Sequence, residues 1–382
     1  MPARRLRMRP ATIRQCVVLL GGSASDPPAP LLPCGDRPFL AWTLRELVRF
    51  GVEEFLLLTG PLTDRLRESL AGIAATLPRP ASIVISEAPL PAGSGGALHH
   101  ARDRLDARFL LCNGRSLFDG NLATLLADAA HDPDEVLART VLRPPEAVST
   151  GVTLFDRRVL DHVAPGSSLE CNVLPGLRHT EAPGYFVDIG VPGELARAQR
   201  DLPARLHRPA LFLDRDGVLN IDHGYVASRE RFEWMPGAFA AVRHAVTSGW
   251  HVFVVTNQSG VARGLYDEAA VQALMRWVAD ELRAAGGTLD DWRYCPTHPE
   301  ATVAEYRRTS DWRKPGPGML LDLIRAWELD PGQAIMVGDT ESDMQAAAAA
   351  GVRPVRFRGG DLAAVIDPLL SVPPTALRQA CS

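Results

Sequence analysis

Two aspartates separated by one residue follow a short apolar run near the middle of the chain. The run is Ala210–Leu213, and the carboxylates belong to Asp214 and Asp216. In open α/β sheets, ligands bind beyond the carboxyl ends of the strands, where these residues would lie. Two carboxylates this close repel each other unless a cation lies between them or one is protonated, and Mg²⁺ prefers oxygen ligands. The pattern predicts a magnesium site, although a lone Asp-x-Asp is also typical of a capped turn.

Further polar residues in the same half of the chain end apolar runs or, for one pair of adjacent cations, stand just before a predicted helix. In chain order they are Thr256, Asn257, Arg313, Lys314 and Asp339. Each alone has a simpler explanation, as a helix cap or a solvated charge. Because the carboxyl ends of successive parallel strands meet at one edge of a sheet, acids, a hydroxyl and cations in this order indicate a single phosphoryl-transfer site.

These segments resemble the four motifs of the haloacid dehalogenase superfamily, and most closely its heptose-bisphosphate and histidinol-phosphate phosphatase branch. The matching segments within residues 208–360 are LDRDGVLN, VTNQSGVARG, YCPTHP, RKPGPGML and VGDTESDM. The resemblance implies a phosphoric monoester hydrolase of nucleotide-activated heptose biosynthesis, with D-glycero-D-manno-heptose 1,7-bisphosphate as its small-molecule substrate and the C7 phosphate as the group released. Histidinol phosphate or another small sugar phosphate is the alternative substrate.

The resemblance also implies how the acids act. Asp214 would be the nucleophile that accepts the phosphoryl group, and Asp216 the general acid and base. Attack by a carboxylate divides the hydrolysis into two displacements. Asp216 would protonate the leaving alkoxide and then deprotonate the attacking water. Mg²⁺ would be bound by Asp214, Asp339 and the backbone carbonyl of Asp216.

The same resemblance assigns the remaining polar residues to the substrate. Thr256 and Lys314 would hold the phosphoryl group, while Asn257 and Arg313 would contact the rest of the molecule. These roles suit the chemistry, because phosphoryl transfer requires mainly positioning and neutralisation of charge.

One segment departs from this branch, in which many members carry a structural zinc bound by a Cys-Pro-His-His cluster and a later Cys-x-Cys. Here the corresponding residues are Cys295-Pro296-Thr297-His298 and Ser310-Asp311-Trp312. Structural zinc requires four nitrogen or sulfur ligands. We therefore expect no zinc, and a loop that is held by packing.

The first half of the chain resembles the sugar-1-phosphate nucleotidyltransferases over about residues 15–200. The matching segments include VVLLGGSASD, LLCNGRSLFD and GYFVDIGVPGELARAQ. In that family a glycine-rich loop after the first strand binds nucleotide phosphates through its backbone N–H groups. Gly21 and Gly22 are present, but the Gly-Thr-Arg that should follow them is absent. Gly93–Gly96 is explained equally well as part of a sugar or base pocket and as a tight turn.

Two further key residues of that family are replaced. Ala29 stands where a lysine is expected, and Arg115 replaces the metal-binding aspartate of Asn-Gly-Asp, whereas the second metal ligand, Asp188, remains. These losses remove the charge neutralisation that a triphosphate needs, so we expect no nucleotidyl transfer. The Arg115 guanidinium is expected to pair with Asp188 in place of a cation. A non-catalytic or regulatory module that binds a nucleotide sugar is the alternative.

Short apolar runs alternate with helix-length amphipathic stretches, which is typical of α/β folds with crossover helices. The polar segment Asp201–Pro209 contains two prolines and predicts a linker. We expect a Rossmann-like, nucleotidyltransferase-like domain with a mixed sheet over residues 14–200. A haloacid dehalogenase-like domain with a parallel sheet flanked by helices would follow over 208–360, and a tail over 361–382.

Composition argues against several other classes of protein. The formal net charge of the 382 residues is −4, which gives no support for a nucleic-acid partner. No apolar run reaches the length of about 18 residues that a membrane helix needs. The six cysteines contain no Cys-x-x-Cys pair and predict reduced thiols in a cytoplasmic protein. The basic residues before Cys16 are expected to be a frayed tail and not a signal peptide.

Overall fold

A computed structural model describes residues 13–21, 28–62, 64–88, 93–163, 169 and 177–371. The chain divides between Leu206 and His207 into two units. The boundary lies inside the segment predicted as a linker, but Asp201–Arg205 is helical and not extended. Leu202 is fully buried there, so its packing continues the helix through a polar stretch that includes Pro203.

The first unit is built on a seven-stranded mixed sheet of order β10-β8-β9-β6-β1-β4-β5. Its strands and those of two small ribbons are β1 (Gln15–Gly21), β2 (Pro33–Cys34), β3 (Arg37–Pro38), β4 (Glu54–Thr59), β5 (Ser82–Glu87), β6 (Arg108–Asn113), β7 (Ser116–Phe118), β8 (Ala138–Arg143), β9 (Val148–Asp156), β10 (Arg178–Glu181) and β11 (Phe186–Asp188). Strand β9 runs antiparallel to β6 and β8, and the other pairs of the large sheet are parallel. The predicted mixed sheet is confirmed.

Five helices of the first unit are described: α1 (Phe39–Val48), α2 (Asp64–Ala75), α3 (Gly93–His100), α4 (Ala123–Ala130) and α5 (Glu194–Arg205). Gly93–Gly96 therefore opens a helix. The central strands are apolar on both faces, as is typical of a sheet covered on both sides. Val17, Leu56 and Phe109 lie fully buried in one core cluster.

The second unit contains a five-stranded, fully parallel sheet of order β14-β13-β12-β15-β16. Its strands are β12 (Ala210–Leu213), β13 (His251–Asn257), β14 (Asp291–Cys295), β15 (Ala334–Gly338) and β16 (Arg353–Arg356). Its helices are α6 (Ala238–Thr247), α7 (Ser259–Ala262), α8 (Glu268–Ala284), α9 (Gly318–Trp327), α10 (Glu341–Ala349) and α11 (Leu362–Leu370). The predicted parallel sheet flanked by helices is confirmed.

The central strand β12 positions the site. All four of its residues are buried, and Phe212 stacks on Phe253 of β13 with ring centroids 5.2 Å apart. Strands β13 and β15 flank β12 in parallel register. The carboxyl ends of these three strands therefore place Asp214, Thr256 and Asp339 at one edge of the sheet.

Helix α11 lies inside the segment predicted as a tail. Asp361 caps it by accepting hydrogen bonds from the N–H groups of Ala363 and Ala364. His244 of α6 contacts Asp367 of α11 at 2.8 Å. The second unit thus extends at least through this helix, and residues 372–382 lie outside the described part of the chain.

Two of the exclusions based on composition can be compared with the described residues. Cys16, Cys34, Cys112 and Cys295 are free, buried thiols, whereas Cys171 and Cys381 lie outside the described ranges. None of the helices in the described ranges combines the length and hydropathy that crossing a membrane requires.

Because each unit has its own sheet and its own core, we expect a fragment of residues 207–382 to fold alone. It should show a single cooperative thermal unfolding transition and the circular dichroism spectrum of an α/β protein. A fragment of residues 208–360, which lacks α11, is the comparison and should unfold at a lower temperature. A longer fragment that aggregates or lacks a transition would show that the second unit depends on the first.

Candidate active site

Lys314 lies at the centre of the charged groups at this sheet edge. Its Nζ is 2.8 Å from Asp214 Oδ1 and 2.6 Å from Asp343 Oδ1, and it donates a hydrogen bond to the carbonyl of Val255 at 3.0 Å. Burial alone would lower the pKa of Lys314, but the two carboxylates outweigh it and raise that pKa. A buried ammonium is tolerated when it is paired in this way.

Asp214, Asp339 and Asp343 form a cluster of acids around this lysine. One carboxylate oxygen of each lies within 4.8 Å of the others. Asp339 Oδ1 is buried and accepts no hydrogen bond from any described residue. A hard divalent cation such as Mg²⁺ binds oxygen ligands of this type. The donor set and the unsatisfied oxygen fit a magnesium ion.

The turn after β12 allows these acids to approach one another. Gly217 has a φ of +87°, which favours glycine. A Cβ at this position would lie 2.3 Å from Asp339 Oδ2. Glycine is therefore required both by the backbone conformation and by the close approach of Asp339.

Burial determines the pKa values of the acids. Removal from water raises the pKa of Asp214 to about 7, because Lys314 offsets that cost only in part. Burial and the nearby charge of Asp343 raise the pKa of Asp339. Burial would also raise the pKa of Asp343, but Lys314 and Thr340 outweigh it and lower that pKa. Three acids and one ammonium leave negative charge in excess, which a divalent cation would neutralise.

The carboxylate of Asp216 is held by donors from three residues. Arg215, which is fully buried, reaches Oδ1 and Oδ2 of Asp216 with Nη2 at 2.9 and 2.7 Å. Asn220 donates to Oδ1 at 3.1 Å, and Gln258 donates to Oδ2 at 2.9 Å. Asp216 is therefore fixed beside Asp214 without belonging to the side-chain cluster of Asp214, Asp339 and Asp343.

Three consecutive polar residues at the end of β13 point to different partners. Thr256 Oγ1 accepts a hydrogen bond from Gln258 Nε2 at 2.9 Å, which leaves its own proton available for a phosphate oxygen. The side-chain amide of Asn257 accepts a hydrogen bond from Lys314 N and donates one to Lys314 O, both at 3.1 Å. Asn257 thus holds the backbone of Lys314, and its contact with substrate stays a prediction.

The loop predicted to lack zinc is connected by hydrogen bonds. Cys295 Sγ lies 3.2 Å from Thr297 Oγ1, and His298 Nδ1 accepts a hydrogen bond from Glu300 N at 3.0 Å. Arg313 donates to the carbonyl of Thr297 at 3.4 Å, and burial lowers its pKa. Its contact with substrate and the absence of zinc both stay predictions.

Most residues of this candidate site carry a role predicted from the sequence, and three do not. Asp214, Asp216, Thr256 and Asp339 come together because each lies at or just after a strand end, and Lys314 reaches them from the loop before α9. Asp343, Gln258 and Arg215 were not assigned a role. Their only signals were the spacing of Asp343, four residues after Asp339, and the placement of the other two beside assigned residues.

The first unit brings Arg115 and Asp188 to one place but does not pair them. A Cβ on Gly190 would lie 3.0 Å from Asp188 Oδ1 and 3.1 Å from the guanidinium carbon of Arg115. Asp188 Oδ1 accepts a hydrogen bond from Gly190 N at 2.8 Å, and Arg115 is exposed. Among the described residues, Arg115 and Asp188 form no ion pair within 4.0 Å, so the predicted pairing was wrong. Gly22 lies outside the described ranges.

The family model that matches this chain covers part of the second unit. Residues 311–366 match the HAD-hydrolase-like family. A D-glycero-β-D-manno-heptose-1,7-bisphosphate 7-phosphatase from Rhodopseudomonas palustris is 50% identical over 163 residues, which are 43% of this chain and 91% of that protein. The chain belongs to this 7-phosphatase family. Membership confirms the phosphatase that the motifs predicted.

Solved structures resemble each half of the chain. The D,D-heptose 1,7-bisphosphate phosphatase from B. bronchiseptica, complexed with magnesium and phosphate, is 31% identical, and the match covers 45% of this chain and 98% of that one with a TM-score of 0.37. HddC from Yersinia pseudotuberculosis is 19% identical, with coverage of 49% and 98% and a TM-score of 0.41.

We expect Mg²⁺ to stabilise the metal-free protein more at pH 8 than at pH 6. A carboxyl group whose pKa is raised by folding favours the folded state when protonated, so the contribution of Asp214 is lost as the pH rises through about 7. Mg²⁺ binds the carboxylate form and would reverse that loss. The measurement is the melting temperature with EDTA and with Mg²⁺ at both pH values.

Asp339→Asn provides the matched comparison for this experiment. It keeps the shape of the side chain and removes one charged ligand, so the Mg²⁺-induced increase in melting temperature should become much smaller. An Mg²⁺ effect of equal size in the wild type and in Asp339→Asn would contradict the site.

Proposed function

We propose that this chain is a Mg²⁺-dependent phosphatase that removes the C7 phosphate of D-glycero-β-D-manno-heptose 1,7-bisphosphate. The observation that carries the proposal is the buried contact of Lys314 with Asp214, within a cluster of acids at the carboxyl edge of the parallel sheet. Family membership supports the substrate, since the relative is named for this reaction. Histidinol phosphate is the alternative substrate. Phosphate-release assays on both compounds would distinguish the two.

Asp214 acts as the nucleophile. One of its oxygens attacks phosphorus and the bond from phosphorus to the C7 oxygen breaks, which leaves an aspartyl-phosphate and an alkoxide. Asp216 gives the alkoxide its proton, and heptose 1-phosphate departs. Asp216 then takes a proton from a water molecule that attacks phosphorus and releases inorganic phosphate.

The surrounding groups stabilise the charge that moves onto the phosphoryl oxygens. Lys314 supplies a buried ammonium next to Asp214, and Thr256 supplies a hydroxyl proton from the adjacent strand. Both groups are held before substrate binds, so little reorganisation is needed during the reaction. Asp214, Asp339 and the carbonyl of Asp216 would hold Mg²⁺, with Asp343 close to them, and the bound ion would neutralise charge on the phosphoryl group.

For the first unit, we propose a nucleotidyltransferase-like fold without nucleotidyl transfer. Arg115 is exposed and places a positive charge near Asp188, where a pair of carboxylates would otherwise bind a cation. Ala29 offers no cation to a triphosphate. Non-catalytic binding of a nucleotide sugar is the alternative role. We propose that the first unit extends from about residue 14 through Leu206, and the phosphatase from His207 through at least Ser371.

Asp214→Asn is expected to abolish phosphate release from the heptose bisphosphate, by at least about a thousandfold, because an amide is a poor nucleophile. The variant should remain folded, since the site penalises the charged carboxylate. Asp280→Asn, near the C-terminal end of α8 and outside the residues assigned to the site, is the matched control and should retain activity. Near wild-type turnover by Asp214→Asn would refute the aspartyl-phosphate mechanism.

The 382-residue chain is expected to release no pyrophosphate from any nucleoside triphosphate in the presence of heptose 1-phosphate and Mg²⁺. The reason is the combined loss of the cations and of one carboxylate in the first unit. A coupled pyrophosphate assay measures this, with an active nucleotidyltransferase as the positive control. Pyrophosphate release that depends on heptose 1-phosphate would overturn the proposal.

A further inference from the structure

Gln258 lies where two parts of the phosphatase site meet. It follows the last residue of β13, and only 1% of it is exposed to solvent. Its backbone N–H donates to the carbonyl of Cys295 at 2.8 Å, so the end of β14 fixes its position. The side chain is thus directed into the interior at the edge of the sheet and not toward solvent.

The side-chain amide of Gln258 makes hydrogen bonds to both sides of the site. Its Nε2 donates to Asp216 Oδ2 and to Thr256 Oγ1, each at 2.9 Å. Both amide protons are therefore used on groups with assigned chemical roles. Among the described residues, three donate to Asp216. Arg215 and Asn220 follow β12, whereas Gln258 follows β13.

The orientation of this amide is set by a tyrosine. The hydroxyl of Tyr266 donates to Gln258 Oε1 at 2.9 Å, which directs Nε2 toward the acid and the threonine. Tyr266 reaches this position because residue 260 is glycine. A Cβ on Gly260 would lie 2.2 Å from the Tyr266 ring.

We infer that Gln258 is a positioning residue that holds the Asp216 carboxylate and the Thr256 hydroxyl in a fixed relation, with Tyr266 fixing the orientation of its amide. This inference rests on the proposed phosphatase function. The consequence is specific to the step in which the leaving group departs. A misplaced Asp216 slows the departure of an alkoxide, which needs a proton, more than the departure of a nitrophenolate, which does not.

The test compares two substrates through kcat/KM, which reports the steps up to release of the leaving group. For Gln258→Met, kcat/KM should fall about 10-fold or more further with heptose bisphosphate than with p-nitrophenyl phosphate. Any loss through Thr256 affects both substrates equally and cancels in this ratio. Equal losses, or no loss, would overturn the inference.

Tyr266→Phe provides a second variant that keeps the packing on Gly260. It should change the same ratio in the same direction by a smaller factor, since the amide stays but its orientation is no longer fixed. Gln272→Met in α8 and Tyr294→Phe in β14, whose side chains hydrogen-bond each other at 3.2 Å, are the matched controls and should leave the ratio unchanged. A change of similar size in the controls would count against a specific role for Gln258.

Crystal structures of Gln258→Met and Tyr266→Phe give a readout that does not depend on substrate choice. We expect the Asp216 carboxylate to leave its present position in at least the first variant. An unchanged Asp216 in both structures would overturn the inference. If heptose bisphosphate is not the substrate, wild-type protein will not release phosphate from it but will release phosphate from another alkyl phosphate. The same ratio of kcat/KM values is then measured with that compound.

Discussion

The second unit depends on one buried ammonium that must be surrounded by carboxylates. Lys314 Nζ contacts Asp214 and Asp343 and donates to a backbone carbonyl, with almost no exposure to solvent. Its charge cannot be left unpaired in the interior, and neither can those of the acids. The strands, the turn at Gly217 and the clamp from Asn257 to the Lys314 backbone all keep these groups within contact distance.

Without a further cation, the three acids carry more negative charge than Lys314 neutralises. This excess of negative charge would bind a divalent cation. The raised pKa values of Asp214 and Asp339 show that removal from water disfavours their charged forms. A bound divalent cation would offset this cost of removal from water, and the negatively charged phosphoryl group would bind beside that cation. The stability of the site and its affinity for ligands are therefore two results of the same electrostatics.

Much of this site was predictable from the sequence because it follows from the ends of strands. Asp214, Thr256 and Asp339 each end an apolar run, and parallel strands bring such residues to one edge. Asp343 was harder to assign, because an acid in the first turn of a helix has an ordinary explanation as part of a capping box with Thr340. Its contact with Lys314 depends on packing that no local pattern reveals.

The roles of Gln258 and Arg215 were also hidden from the sequence, since both depend on where a neighbouring side chain points. The same limit applied to the segment after Glu194, where burial of Leu202 continued a helix into a stretch whose composition predicted a linker. In the first unit the mixed sheet was predictable, but the predicted ion pair of Arg115 with Asp188 was not found among the described residues, because an exposed arginine has many alternative positions. Such a fold does not by itself imply the activity of similar proteins.

The most direct test of the account is to trap the covalent intermediate on Asp214. The protein is mixed with heptose bisphosphate and Mg²⁺, quenched with acid during turnover, treated with borohydride and analysed by peptide mass spectrometry. Reduction of an aspartyl-phosphate converts that aspartate to homoserine. We predict homoserine at position 214 in the quenched sample and its absence without substrate. Turnover with an unmodified Asp214, or with the modification at another residue, would contradict the account.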